Sequence, residues 1–201
     1  MNEIKNNVLN KIKETRSLWK EVYDWVDCAV ITIICVILLF TFCFRQVEID
    51  GSSMSNTLEH GDRILISNIF YTPKKGDVVV VSSEIYDNVP IIKRVIATEG
   101  QWVSITDGRV YVGESTDAME VLHELYVGGM ATEELVAGGF YGVQEYPLQV
   151  PKGKVFLLGD NRGVSLDSRT TAIGLVDVKH IIGKAICRVY PFSKIGGILG
   201  D

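Results

Sequence analysis

Between Cys28 and Phe44 the chain reads CAVITIICVILLFTFCF, with no charged residue. With Trp25 and Val26 the run approaches the roughly 20 residues that carry a helix across a bilayer. A backbone in lipid must satisfy its N–H and C=O groups within its own segment, so one membrane-spanning helix is expected over 28–44. A cleaved leader starts within a few residues of the N-terminus and closes on small residues. Here bulky Phe42 and Phe44 close the run, which predicts a permanent anchor. Lys5, Lys11, Lys13, Arg16 and Lys20 precede it and only Arg45 follows closely. This bias puts the N-terminus in the cytoplasm and the bulk of the chain outside; Glu14, Glu21, Asp24 and Asp27 dilute the charge but weigh little in that rule.

Residues 1–27 carry Leu9, Ile12, Leu18, Trp19, Val22 and Val26 at roughly helical spacing among charges. Two readings stand: an amphipathic helix lying on the inner leaflet, or a cytoplasmic extension of the membrane helix.

Beyond Arg45 the pattern changes to short β-branched runs punctuated by glycine. Residues 63–70, 77–82, 91–98, 101–106, 109–112, 154–159 and 180–190 read as strands. Asp107-Gly108 is a strong two-residue hairpin signal. The expected fold is therefore mostly β: one N-terminal transmembrane helix, then an antiparallel, barrel-like β domain over 45–201. Residues 113–150, acidic and rich in glycine pairs, interrupt it as a small insertion or flap.

The net charge of -5 and isoelectric point near 5.3 come without any dense basic stripe, which excludes nucleic acid as a partner. Cys28, Cys35 and Cys43 fall in the apolar run, leaving Cys187 alone in the exported part, so no disulfide forms there. Cys187 sits in the strand pattern 185–190 and reads as a small buried hydrophobe. Leu122-His123-Glu124-Leu125-Tyr126 starts like a zinc-protease helix but lacks a second histidine four positions after His123. His60, His123 and His180 share no ligand spacing and read as surface or turn residues.

Two residues carry the chemistry. Ser53, in Gly51-Ser52-Ser53-Met54, follows the anchor closely and so stays near the outer membrane face. Lys93 stands in the strand 91–98, whose alternation puts Ile91, Lys93, Val95 and Ala97 on one face and Ile92, Arg94 and Ile96 on the other. Among apolar neighbours the ammonium form is disfavoured, so Lys93 suits a general base for a serine nucleophile. Arg94, pointing the other way, stays charged and needs a carboxylate.

Four segments in order, GSSMSNTL (51–58), GDRILI (61–66), IKRVIATEG (92–100) and GDNRGVSLDSR (159–169), resemble the successive boxes of the type I signal peptidases, Ser-Lys dyad serine proteases, in their short Gram-positive-like form. The resemblance implies Ser53 as nucleophile and Lys93 as base. It also implies Ser165 as a hydrogen-bonding guide for the Lys93 amine, Asp160 as the partner of Arg94, and Asp167 paired with Arg169. The candidate oxyanion donors are the backbone N–H of Ser53 and, as a second backbone candidate, Gly51. Some relatives have a serine where this chain has Gly51, so no side-chain donor comes from that position. Asn56 stands where proline is common, and Glu99-Gly100-Gln101 replaces a usual Pro-Gly-Asp turn. Lys93 excludes the branch that uses histidine.

The activity so implied is cleavage of signal peptides from exported pre-proteins on the outer face of a bacterial plasma membrane, without metal or organic cofactor. An extended substrate would add to a strand edge beside Ser53, with pockets for alanine-sized side chains formed by Ile49, Met54 and apolar residues of 78–96. Phe70, Tyr71, Phe192, Ile195, Ile198 and Leu199 are candidates for dipping into the outer leaflet. Two alternatives are a self-cleaving peptidase like the SOS-repressor autoproteases, whose DNA-binding domain is missing here, and an inactive anchored β domain that only binds export substrates.

Overall fold

A computed structural model of the chain describes residues 2–82, 89–128, 132 and 142–198, with side chains from Trp19 onward. The chain divides into two units, Met1–Cys43 and Phe44–Asp201. Of the residues considered above, Leu199 and much of the 113–150 segment (129–131 and 133–141) lie outside the described residues, as do the side chains of Leu9, Ile12 and Leu18.

The first unit is one unbroken helix, α1 (Asn2–Cys43). It contains neither proline nor glycine, so no residue within it breaks the hydrogen-bond ladder. The N-terminal residues thus continue the apolar helix and do not form a separate one. Trp19–Cys43, 25 residues that include an 18-residue window of mean hydropathy 2.7, is long and apolar enough to cross a membrane. At 1.5 Å per residue it extends about 37 Å, against a hydrocarbon core of about 30 Å. Its apolar side chains, Trp25 and Phe42 among them, are exposed, unlike those of a helix in a soluble core. The two threonines in the span return their hydroxyls to the backbone one turn back: Thr32 Oγ1 donates to Cys28 O at 2.8 Å and Thr41 Oγ1 to Ile37 O at 2.7 Å.

The second unit is built from antiparallel strands: β1 (Arg45–Glu48), β2 (Arg63–Ser67), β3 (Val78–Val81), β4 (Ile91–Thr98), β5 (Trp102–Thr106), β6 (Arg109–Gly113), β7 (Met119–Val121), β8 (Leu148–Gln149), β9 (Lys154–Leu158), β10 (Val176–Asp177), β11 (Ile181–Tyr190) and β12 (Gly196–Gly197). One sheet has the order β1-β2-β11-β3-β4-β9-β10, with β12 added to β11; the other has the order β7-β6-β5-β8. All seven strands expected from the sequence are present, some shorter by a few residues. β2 stops at Ser67 and not at 70, and Phe70, at φ 48, lies outside the strand region of backbone space. Asp107 (φ 51) and Gly108 (φ 73) form the β5–β6 turn, both left-handed as a two-residue hairpin of this kind requires.

Three apolar clusters make the core. Met54 and Leu58 pack with Ile64, Ile66, Val78, Val80 and Ile92. Phe156 and Leu158 pack with Ile96, Val103 and Ile105, and Val79, Val81, Val95 and Leu157 form a third group. Register places Lys93 opposite Val79 and Arg94 opposite Val78, on opposite faces of β4. The strict alternation then fails. A register shift between Val95 and Ala97 sends Ala97 into the same cluster as Ile96, away from the Lys93 face.

The exposed aromatic candidates divide. Phe70, Phe192 and Ile195 are exposed, but Tyr71 packs against the third cluster and Ile198 against the first. Phe70 and Phe192 lie beyond opposite ends of the β2–β11 pair, where Ser67 faces Lys184 and Arg63 faces Tyr190.

Candidate active site

Ser53 sits in the turn following β1, held from two sides. Met54 is 1% exposed and anchors the turn in the first core cluster. On the other side Asn161 N donates to the Ser53 carbonyl at 3.0 Å, and Asn161 Nδ2 donates to the Ser52 carbonyl at 3.1 Å. Both carbonyls are thereby occupied. The Ser53 N–H, by contrast, donates to no partner among the described residues, whereas the Gly51 N–H is directed at His60 Nδ1 at 3.4 Å.

Lys93 reaches this turn from the middle of β4. Its Nζ donates to Ser53 Oγ at 2.8 Å, and the side chain is buried. Burial is the main force on its protonation and pulls the amine down to about 8 from its usual 10.5. Asp167 opposes that shift, Arg169 adds to it, and Asp160 opposes it again.

Beside Lys93, Arg94 is wholly buried and uses almost every donor it has. Nε and Nη2 form a two-point pair with Asp160 at 2.8 and 2.6 Å, Nη1 donates to the Gly76 carbonyl at 2.8 Å, and Nη2 also reaches Thr57 Oγ1 at 3.3 Å. Thr57 in turn donates to Asp160. Tyr126 covers the face of the guanidinium, with the Arg94 Cζ atom 3.9 Å from its ring centroid.

The segment 159–169 folds on itself through Asp167. That carboxylate accepts from Gly159 N at 3.1 Å and from Arg169 Nε and Nη2 at 2.8 and 3.0 Å. Arg169 Nη2 also donates to the carbonyls of Arg162 at 2.8 Å and Ser165 at 3.1 Å. Ser165 departs from the expected arrangement. Its hydroxyl is wholly buried and has no hydrogen-bond partner, so it does not bond the Lys93 amine here. The amine is committed to Ser53, and the Ser165 hydroxyl faces the Cα of Gly159 instead.

Ile49 and Met54 line a groove of about 320 Å³ together with Ser53, Val80, Ile92 and Lys93. Ile49 and Met54 are themselves core residues, at 3% and 1% exposure, and offer the groove only their edges. Cys187 is free and only half-buried. No group of three or more potential metal ligands occurs among the described residues.

Sequence reasoning missed Thr57, Glu124, Tyr126 and Arg162. Arg162 is 1% exposed and pairs with Glu124. The string 122–126, considered only as a metal motif, carries both Glu124 and Tyr126. The signal available was Arg162 itself, a second arginine in a strand-flanking turn that lacked an assigned carboxylate.

Comparison with known proteins gives a consistent set of relatives. The family described as "Signal peptidase, peptidase S26" matches residues 22–190. Signal peptidase I of Bacillus licheniformis is 31% identical over 176 residues, covering 86% of this chain and 91% of that one. Signal peptidase I T of Bacillus subtilis (strain 168) is 30% identical over 198 residues, covering 97% and 98%. A crystal structure of a signal peptidase I from Enterococcus faecalis V583 matches 57% of this chain and 97% of that chain, at 27% identity and a TM-score of 0.42.

Proposed function

From the premise that this chain belongs to the signal peptidase family, peptidase S26, we propose that it is a membrane-anchored serine endopeptidase that removes signal peptides from exported pre-proteins. Residues 28–44 cross the plasma membrane, 1–27 are cytoplasmic, and 45–201 form the catalytic domain on the outer face. The observation that carries the reading is the 2.8 Å contact between the buried Lys93 amine and Ser53 Oγ.

An amine held at about 8 has roughly a tenth of its population neutral at pH 7. In that form Lys93 takes the Ser53 proton as Oγ attacks the scissile carbonyl. The oxygen of the tetrahedral intermediate takes up the charge and accepts from the Ser53 N–H, which is unengaged among the described residues. The lysine ammonium then gives its proton to the departing amine, leaving the signal peptide as an ester on Ser53. Water, deprotonated by the same amine, hydrolyses that ester and restores both residues.

Arg94 with Asp160, and Asp167 with Arg169, hold the two halves of this pair in place. Such buried ion pairs contribute geometry more dependably than net stability. Ser165, buried in the same segment, is assigned the role of guiding the Lys93 amine during turnover. The apolar groove beside Ser53 accepts the small side chains of an Ala-x-Ala end from an extended peptide.

Incubating detergent-solubilised full-length protein with a pre-protein ending its leader in Ala-x-Ala tests the reading. Wild type cleaves at that point, and Ser53→Ala and Lys93→Ala do not. Cleavage that survives both substitutions overturns the dyad, and an inert wild type overturns the assignment as a peptidase.

A further inference from the structure

One buried charged cluster has no part in the chemistry above. Arg162 Nε donates to the Gly159 carbonyl at 3.0 Å, and both Nη atoms meet the Glu124 carboxylate, one of them at 2.9 Å, with a further bond to the Thr132 hydroxyl. Glu124 lies between β7 and β8, outside all four sequence boxes. Its Oε1 also accepts from the Tyr126 hydroxyl at 2.9 Å. The Tyr126 ring is what covers Arg94. Leu125, between the two, is 86% exposed, so both flanking side chains turn inward from a segment lying on the domain surface.

This short run therefore grips two arginines, and each is the neighbour of a working residue. Arg94 adjoins Lys93. Arg162 adjoins Asn161, which holds the carbonyls of Ser52 and Ser53. A two-point carboxylate–guanidinium pair fixes orientation as well as distance. Arg94 has already spent its edge on Asp160, Gly76 and Thr57, leaving only its face to be held, and an aromatic ring holds a face without competing for donors. We propose that Glu124 and Tyr126 are positioning residues, a strap that keeps the strand bearing Lys93 in register with the turn bearing Ser53. The proposal rests on the Ser53/Lys93 reading.

A strap of this kind acts on rate, since displacing a nucleophile from its base by about 1 Å costs on the order of 100-fold. In the cleavage assay with full-length protein, Tyr126→Leu and Glu124→Ala are expected to lose about 10- to 100-fold in kcat, with KM within about 3-fold of wild type. Tyr126→Phe, which keeps the ring over Arg94, is expected to recover most of that loss. Thermal unfolding of each variant shows whether it is folded at the assay temperature. If the larger substitutions unfold the domain, Glu124→Gln and Tyr126→Phe decide, with about a 3- to 10-fold loss of kcat expected for Glu124→Gln and a smaller one for Tyr126→Phe.

Wild-type kcat in the folded variants, or a loss confined to KM, overturns the strap. So does a Tyr126→Phe variant no better than Tyr126→Leu. Cleavage persisting in Ser53→Ala would instead sink the dyad, so the two failures read differently.

Discussion

Gly159 lies so close to Ser165 that a methyl group on its Cα would stand 2.2 Å from the Ser165 hydroxyl oxygen and 2.5 Å from the Ser53 carbonyl oxygen. The second of these atoms is backbone and cannot swing aside. Gly159→Ala is therefore expected to push the 159–169 segment off the Ser53 turn, with a loss of about 100-fold or more in kcat and about 1–3 kcal/mol of stability. Cleavage kinetics and denaturant unfolding on the same preparation measure both.

The Ser165 hydroxyl is buried without a partner. An unsatisfied buried polar group costs about 1–3 kcal/mol, so Ser165→Ala is expected to be at least as stable as wild type. If Ser165 guides the Lys93 amine during turnover, the same variant cleaves more slowly. A stable, slow enzyme is the expected outcome, seen by comparing Tm with kcat.

Lys93 gives a pH dependence with a definite sign. Its amine titrates at about 8 in the fold and near 10.5 in the unfolded chain. In the proposed mechanism the free base is the working form, so kcat/KM is expected to climb with pH and level off above about 8. For stability, below about pH 8 both states carry the proton and the fold bears the full cost of burying it. Between about 8 and 10.5 the unfolded chain binds more protons, so the Lys93 contribution to stability rises with pH across that window. Lys93→Met removes the buried charge. It is expected to be inactive but more stable than wild type at pH 7, with the advantage shrinking above pH 8. Parallel unfolding curves at pH 7 and pH 9.5 check this.

Asp160 and Arg94 are both fully buried. Asp160→Ala leaves the guanidinium uncompensated and is expected to cost about 3–5 kcal/mol. The double replacement Arg94→Met with Asp160→Leu removes both ions and is expected to recover much of that loss in a denaturant titration, without recovering activity.

What the sequence made legible follows from the range of each interaction. Strands announce themselves through short β-branched runs between glycines, and Asp107-Gly108 through its own backbone demands, so these elements stand where those local signals put them. β1 and β10 were invisible because two to four residues carry too little pattern. The register shift at Val95–Ala97 was invisible because an extra residue in one strand shows only against its partner. Ser53 and Lys93 are 40 positions apart; a serine just past the apolar run and a lysine in an apolar strand suggested the pair, and the order of four boxes reinforced it. The partnership of Glu124 with Arg162 crosses 38 positions with no box to mark one end, and no local rule reports it.

Three arginines, Arg94, Arg162 and Arg169, lie inside this small domain at 1% exposure or less, each facing a carboxylate. A guanidinium cannot escape an apolar interior by giving up its proton. Change at any one of these six positions alone strands an ion, so only simultaneous replacement of both members of a pair leaves the interior neutral. The scaffold around Ser53 and Lys93 is thus mutationally stiff.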